Sequence, residues 1–188
     1  MNSKRIVITG APGTGKTAVV NALIQAGYNC FPEVIREFTQ EETSRKDPAE
    51  LKSNPIVFAD DSLAFNQKLI TGRQKQFMDA PLNGAPFSFY DRGLPDVLAY
   101  MDFFKQSYPD QFVDVCNTHK YDAVFIMPPW EDIFHADGGR FETYQEALSL
   151  HESLTTRYLA FNYLPISVPK LDIAARTQFI INNTQSLR

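Results

Sequence analysis

Cysteine, histidine, tryptophan and net charge are all scarce in this chain. The two cysteines, Cys30 and Cys116, stand far apart and in no metal-ligand spacing, and His119, His135 and His151 are equally scattered. A disulfide framework and a zinc centre are therefore not expected. The formal charge of −4 supplies no general basic surface, so nucleic acid is not an expected partner. Apolar runs are short: none approaches the ~20 residues of a membrane span, which argues against membrane insertion. The apolar run RIVITG begins within a few residues of the start and is too short for a signal-peptide core. We expect a reducing, cytoplasmic compartment. Internal repeats and low-complexity tracts are also absent. What remains is 188 residues, 44% of them hydrophobic and 21% charged, which suits one domain over 1–188 with a sizeable core, as monomer or homodimer.

Hydrophobic periodicity alternates between strand and helix. RIVIT (Arg5–Thr9) predicts a buried first strand, and Val19, Val20, Leu23 and Ile24 recur at helical spacing until Gly27. YNCF (Tyr28–Phe31) predicts a second strand, with PEVIREF entering a helix. The stretch 41–55 is polar with two prolines and is expected to be mobile or functional. A long helix is expected within Ile56–Met78, then a strand in FSFYD, helices over Leu94–Phe104 and Pro109–His119, and a strand in DAVFIM. A loop over Pro128–Arg140, a helix over Glu142–Phe161, a fifth strand in LPISVP and a helical tail from Asp172 complete the pattern. Such alternation implies a parallel sheet with helices on both faces, an α/β three-layer sandwich. Ligands in these sheets bind outside the carboxyl ends of the strands. Gly10–Thr17, Glu33, Asp91–Arg92, Pro128–Trp130 and Val168–Pro169 all fall at that end.

GAPGTGKT (Gly10–Thr17) has the spacing of a phosphate-cradling loop, and it follows a predicted strand and opens a predicted helix, the context that this chemistry requires. Glycines let main-chain N–H groups converge on phosphate oxygens, and the helix start adds its positive end. Gly10, Ala11, Pro12, Gly13, Thr14, Gly15, Lys16, Thr17 and Ala18 are the expected nucleotide-binding residues. Lys16 is expected to reach the β- and γ-phosphates and Thr17 to ligate Mg²⁺. ATP is the expected nucleotide, with GTP as the alternative.

The hydrophobic run FSFYD then ends in Asp91-Arg92. The phosphate loop alone is similar to that of AAA-type motors, but a motor needs a glutamate after its magnesium-binding aspartate to polarise water. Arginine cannot serve as that base. It can stabilise a transferring phosphoryl group, so Asp91 is a candidate magnesium ligand and Arg92 a candidate catalytic cation. The plainer alternatives are a helix cap for Asp91 and a structural ion pair for Arg92. HKYD (His119–Asp122) precedes its strand, at the wrong end to read a guanine, and is taken as a turn.

On the acceptor side, Glu33 ends the second strand and could take a hydroxyl proton, while Arg36 could hold an acceptor phosphate; a solvated helix end is the alternative. Arg140, behind two glycines, has the placement of a lid arginine within a lid of about 128–145. Arg157 is a weaker candidate on the same helix. Asp96 and Tyr100 share a helical face and could line the acceptor pocket, unless Asp96 serves its own helix start. Trp130 could stack on a ring or simply pack.

Together, ITGAPGTGKT, FPEVIREF, YDRGLPDVLAY, DGGRFET and the late Val168-Pro169 resemble, over nearly the whole chain, a family of small P-loop proteins. That family is labelled as AAA-type ATPases but is related to ribosylnicotinamide kinase domains and more distantly to deoxynucleoside and thymidylate kinases. The resemblance implies a five-stranded parallel sheet in kinase-like order, with the Asp91 strand beside the phosphate-loop strand and no strand inserted between. It implies that Glu33 matches the carboxylate that takes the hydroxyl proton, and that Val168 and Pro169 flank the nucleotide base. It further implies a kinase acting on a nucleoside-like metabolite; the alternative is a nucleotide-dependent switch with slow hydrolysis. The chain departs from deoxynucleoside kinases in lacking their proline after Glu33 and in having Gly93 where they carry serine.

Overall fold

The computed structural model describes residues 3–34, 61–80, 84–134 and 142–187. Five strands form one sheet: β1 (Lys4–Gly10), β2 (Asn29–Phe31), β3 (Phe87–Asp91), β4 (Ala123–Met127) and β5 (Ile166–Ser167), in the order β2-β3-β1-β4-β5. Every pairing is parallel, with Ile8 of β1 in register with Asp91 of β3 and Gly10 with Met127 of β4. β3 lies directly beside β1, the kinase-like order that the resemblance implies.

The helices are α1 (Lys16–Gln25), α2 (Ser62–Asp79), α3 (Leu94–Phe103), α4 (Asp110–Thr118), α5 (Tyr144–Ala160) and α6 (Ile173–Gln185), with a 3-10 turn at Glu131–Ile133. Alternation along the strands divides the core between the two sheet faces. Ile6, Ile8, Phe89 and Phe125 pack with Val19, Leu23 and Ile180 of α1 and α6. Val7, Tyr90, Val124 and Ile126 pack with Leu69, Leu98, Phe112 and Leu154 of α2, α3, α4 and α5. Burying such a side chain stabilises the fold by about 1.5–3 kcal/mol.

Several element ends differ from the sequence reading by one or two residues, and α2 begins at Ser62 where the pattern starts at Ile56, residues 56–60 lying outside the described ones. Asp61 caps α2 by accepting from Ala64 N–H, Thr143 and Glu146 form a capping box on α5, and Asp172 caps α6. The helix expected in PEVIREF has no helical residue over Pro32–Val34, and the rest of that stretch lies outside the described residues. Also outside them are the polar segment 41–55, Arg36 and Arg140; of the lid range only 128–134 and 142–145 are described.

Candidate active site

The phosphate loop joins the central strand to α1. Gly15 stands before the helix at φ 83°, left-handed backbone that a side chain would strain, and a Cβ there would meet Arg176 Nη1 at 2.8 Å. Gly13, at φ 77°, lies against the Phe134 ring, 2.5 Å from where its Cβ would be. No side-chain cap bond is made at Gly15 before α1, in contrast to the caps of α2, α5 and α6. Thr14 closes the turn by donating its hydroxyl to Ala11 O at 2.9 Å. Ala11 is buried; Pro12, Thr17 and Ala18 are half-buried.

Lys16 is almost fully buried, and its ammonium donates to Gly10 O at 2.7 Å and Ala11 O at 2.8 Å. Burial, and then the charge of Arg92, bring its pKa down to about 7, with Asp91, Glu33 and Asp96 opposing. Lys16, Glu33, Asp91, Arg92 and Asp96 therefore share one electrostatic neighbourhood.

Its order comes from the end of β3. Arg92 turns the chain at φ 75° while its N–H donates to Ile8 O at 3.0 Å, extending the pairing with β1. Gly93 then caps α3, and Pro95 falls in the first helical turn, where no N–H is needed. The Arg92 guanidinium meets Glu33 Oε1 at 2.6 Å and Asp96 Oδ1 at 3.2 Å, and lies 5.0 Å from the centre of the Tyr100 ring. Arg73 of α2 reaches the same Glu33 oxygen at 3.3 Å and Gly93 O at 2.8 Å.

Asp96 is fully buried and satisfied within the protein. Its carboxylate accepts from Thr9, Arg92, Gly93 N–H and Tyr158. Burial alone would raise its pKa, but Arg92 and Arg73 with the Thr9 and Tyr158 hydrogen bonds outweigh it and hold the pKa below the usual carboxylate value. Of the two alternatives, the helix-start role is the one seen: Asp96 accepts from Gly93 N–H, and its remaining bonds, to Thr9, Arg92 and Tyr158, lie inside the protein rather than on an acceptor pocket. Tyr100 is buried beside it.

The fit to ATP and Mg²⁺ follows from these features. The glycine cradle and buried ammonium suit a polyphosphate. Asp91 and Thr17 offer the hard oxygen ligands that Mg²⁺ takes in ones and twos while it keeps water and phosphate oxygens. No cluster of three or more metal-ligating His, Cys, Asp or Glu side chains occurs among the described residues.

Beyond the loop, Val168 is buried and its N–H donates to Ile126 O at 2.9 Å. Pro169 follows on the wall of a cleft that also includes Thr14, Met127 and Trp130. Arg157 instead pairs with Asp102, Nε to Oδ2 at 2.8 Å. Asp122 of HKYD sits at the opposite sheet end, accepting from Lys4 at 3.0 Å and from Arg5 N–H at 2.8 Å.

Three residues escaped the sequence reading. Arg73 is a charge on the buried stripe of α2, between Ile70 and Phe77. Arg176 stands on the buried stripe of α6 with Thr177 and Ile180, and its Nη1 donates to Thr14 O at 3.0 Å. A cation on a buried helix stripe is a readable signal of a partner. Phe134 carried no such signal, because its contact with Gly13 is purely tertiary.

The sequence model of a family described as an AAA domain matches residues 5–176. The chain belongs to that family. Solved structures share the fold at low identity. The NadR protein in complex with NR aligns with a TM-score of 0.70 and 19% identity, over 98% of this chain and 50% of that one. Deoxyadenosine kinase from M. mycoides with bound dATP gives 0.65 and 19%, over 97% and 99%. Thymidylate kinase from Ehrlichia chaffeensis gives 0.61 and 16%, over 98% and 100%. The chain spans about half the length of the NadR chain. No curated protein matches the sequence. The fold of this AAA-domain family member is thus that of the P-loop kinases, with β3 beside β1. None of its described helices is long and apolar enough to cross a membrane.

Proposed function

We propose that the protein is a cytoplasmic kinase that transfers the γ-phosphoryl group of ATP·Mg²⁺ to a hydroxyl of a small, nucleoside-like metabolite. The observation that carries this reading is the contact between Arg92 and Glu33, 2.6 Å apart at the edge of the sheet that bears the phosphate loop. A cation that can follow the phosphoryl group and a carboxylate that can accept a hydroxyl proton stand together beside Lys16. Phosphoryl transfer needs mainly such positioning and charge neutralisation. In this reading Lys16 and Arg92 draw charge from the transferring group, Thr17 and Asp91 hold the magnesium ion, and Glu33 orients the acceptor. Tyr100 borders the acceptor space, and Asp96 fixes Arg92. Arg36 and Arg140 are proposed to assist from the acceptor and lid sides. Solved neighbours with NR, with NAD and AMP-PNP, and with dATP support an adenine nucleotide and a nucleoside-like acceptor.

One observation favours a second reading, a nucleotide-dependent switch with slow hydrolysis. Glu33 Oε1 is already engaged by both Arg73 and Arg92. The deciding experiment follows ADP release from ATP·Mg²⁺ across a panel of nucleosides and related vitamins. Release that depends on one acceptor is expected for the kinase. Slow release indifferent to every acceptor, with partner affinity that differs between ATP and ADP forms, would establish the switch.

A further inference from the structure

Arg176 is a buried cation on the stripe of α6 that also carries Thr177 and Ile180. Its guanidinium makes one hydrogen bond among the described residues, from Nη1 to Thr14 O at 3.0 Å, and its Nε is buried there without a partner. Burying a charged head against one neutral carbonyl is costly, and an apolar side chain would suit such a stripe better. Arg176 is therefore better explained by what it holds than by what it adds to the core. It holds the phosphate loop from behind. Its Nη1 and Nη2 stand 2.8 and 3.2 Å from where a Cβ on Gly15 would be. Among the described residues Asp172 is the charge that acts on Arg176, whereas Arg92, Asp91, Glu33 and Asp96 act on Lys16. The two cations thus stand on different sides of the loop.

The Thr14–Gly15 peptide is trans, so its C=O and N–H point in opposite directions within one plane. A donor that holds Thr14 O also fixes the direction of Gly15 N–H, away from Arg176. We propose that Arg176 is a positioning residue of the phosphate loop: by holding Thr14 O it turns Gly15 N–H toward the bound phosphates and keeps it there before a nucleotide arrives. The inference rests on the reading of Gly10–Thr17 as a phosphate site. Glycine at φ 83° has wide conformational freedom, so a loop built on it needs an anchor to keep its amides convergent. An amide already aimed at its anion binds without the cost of ordering. The guanidinium also places a positive charge behind the cradle, which a polyanion on the other side feels. Both effects act on phosphate alone, whatever base or acceptor accompanies it.

The test compares the intact protein with Arg176→Met, which suits a buried helix stripe, and Arg176→Lys, which keeps the charge and one donor. Each is titrated by calorimetry with ATP and with inorganic tripolyphosphate, both with Mg²⁺, and the Gly15 amide is followed by NMR. Arg176→Met is expected to weaken the two ligands by the same factor, about tenfold, and Arg176→Lys to recover most of the loss. The Gly15 amide proton of the parent is expected to move downfield with tripolyphosphate, as a new charge-assisted hydrogen bond requires, and to move much less in Arg176→Met. Tripolyphosphate affinity unchanged in a folded Arg176→Met variant would overturn the proposal, and so would a loss confined to ATP, which would make Arg176 a contact of the base alone. A Gly15 amide in the parent that ignores bound tripolyphosphate would overturn it without recourse to any variant. Each of these results leaves the phosphate-site reading intact. Failure of both ATP and tripolyphosphate to bind the parent protein would remove that reading and this inference with it.

Discussion

Glu33 and Arg92 are in contact, Oε1 to Nε at 2.6 Å, and Arg73 closes on the same oxygen at 3.3 Å. The carboxylate is thereby aimed, from just beyond β2, at the turn that follows β3. If it also receives the acceptor proton, Glu33→Gln should lower acceptor-dependent ADP release by about 10²–10⁴-fold. ATP affinity by calorimetry should stay nearly the same, because the phosphate loop is untouched. A variant that turns over normally would leave Glu33 as a strut for the two arginines.

Lys16 offers a prediction about protons. Its pKa is lowered to about 7 in the resting protein, and a bound polyanion favours the charged ammonium. Near pH 8 the group is mostly neutral before binding, so ATP should bind with uptake of up to about one proton; near pH 6 uptake should almost vanish. Calorimetry in buffers of different ionisation enthalpy measures this. Lys16→Ala should abolish the uptake and greatly weaken binding.

Asp96 governs stability in acid. Its pKa is lowered in the fold, so its contribution is present above the unfolded value of about 3.9 and is lost as pH falls through the lower folded value. Asp96→Ala should cost about 3–5 kcal/mol at neutral pH, since it removes one of the two carboxylates that pair the buried Arg92 and leaves the Thr9 and Tyr158 hydroxyls without their acceptor. Urea melts of the parent and of Asp96→Asn from pH 7 downward should converge in acid as the parent carboxylate becomes protonated.

Gly15→Ala tests the cradle. The left-handed backbone costs alanine about 1–2 kcal/mol, and the new Cβ would displace Arg176 from 2.8 Å. A fall in Tm of a few degrees is expected. The fall in ATP affinity should be proportionally larger, because the displaced arginine also holds Thr14 O of the phosphate loop.

Much of this arrangement was legible from local chemistry. The strand, glycine turn and helix around Gly10–Thr17 announce themselves because backbone need and residue type coincide. The run FSFYD matches β3 residue for residue, since a strand buried on both faces reads as an apolar block closed by a charge. Asp91 and Arg92 stood out because an apolar run ended in them. The cross-chain partners were harder to see. Nothing near Arg73 in sequence points to Glu33, which is 40 residues away, and Arg176 meets Thr14 across 162 residues. Those pairings depend on which helices cover which sheet face. Asp96 was readable as a helix-start acid, but its bonds to Thr9 and Tyr158 depend on β1 and α5 packing around α3.

The Asp96 carboxylate has a further meaning for how such sequences can change. Thr9, Arg92 and Tyr158, from three separate parts of the chain, all converge on it. Drift at any one of them is felt by the other two, so their substitutions should be strongly epistatic. A lineage that abandons the aspartate has to revise the whole quartet together, whereas residues outside this network can diversify one at a time.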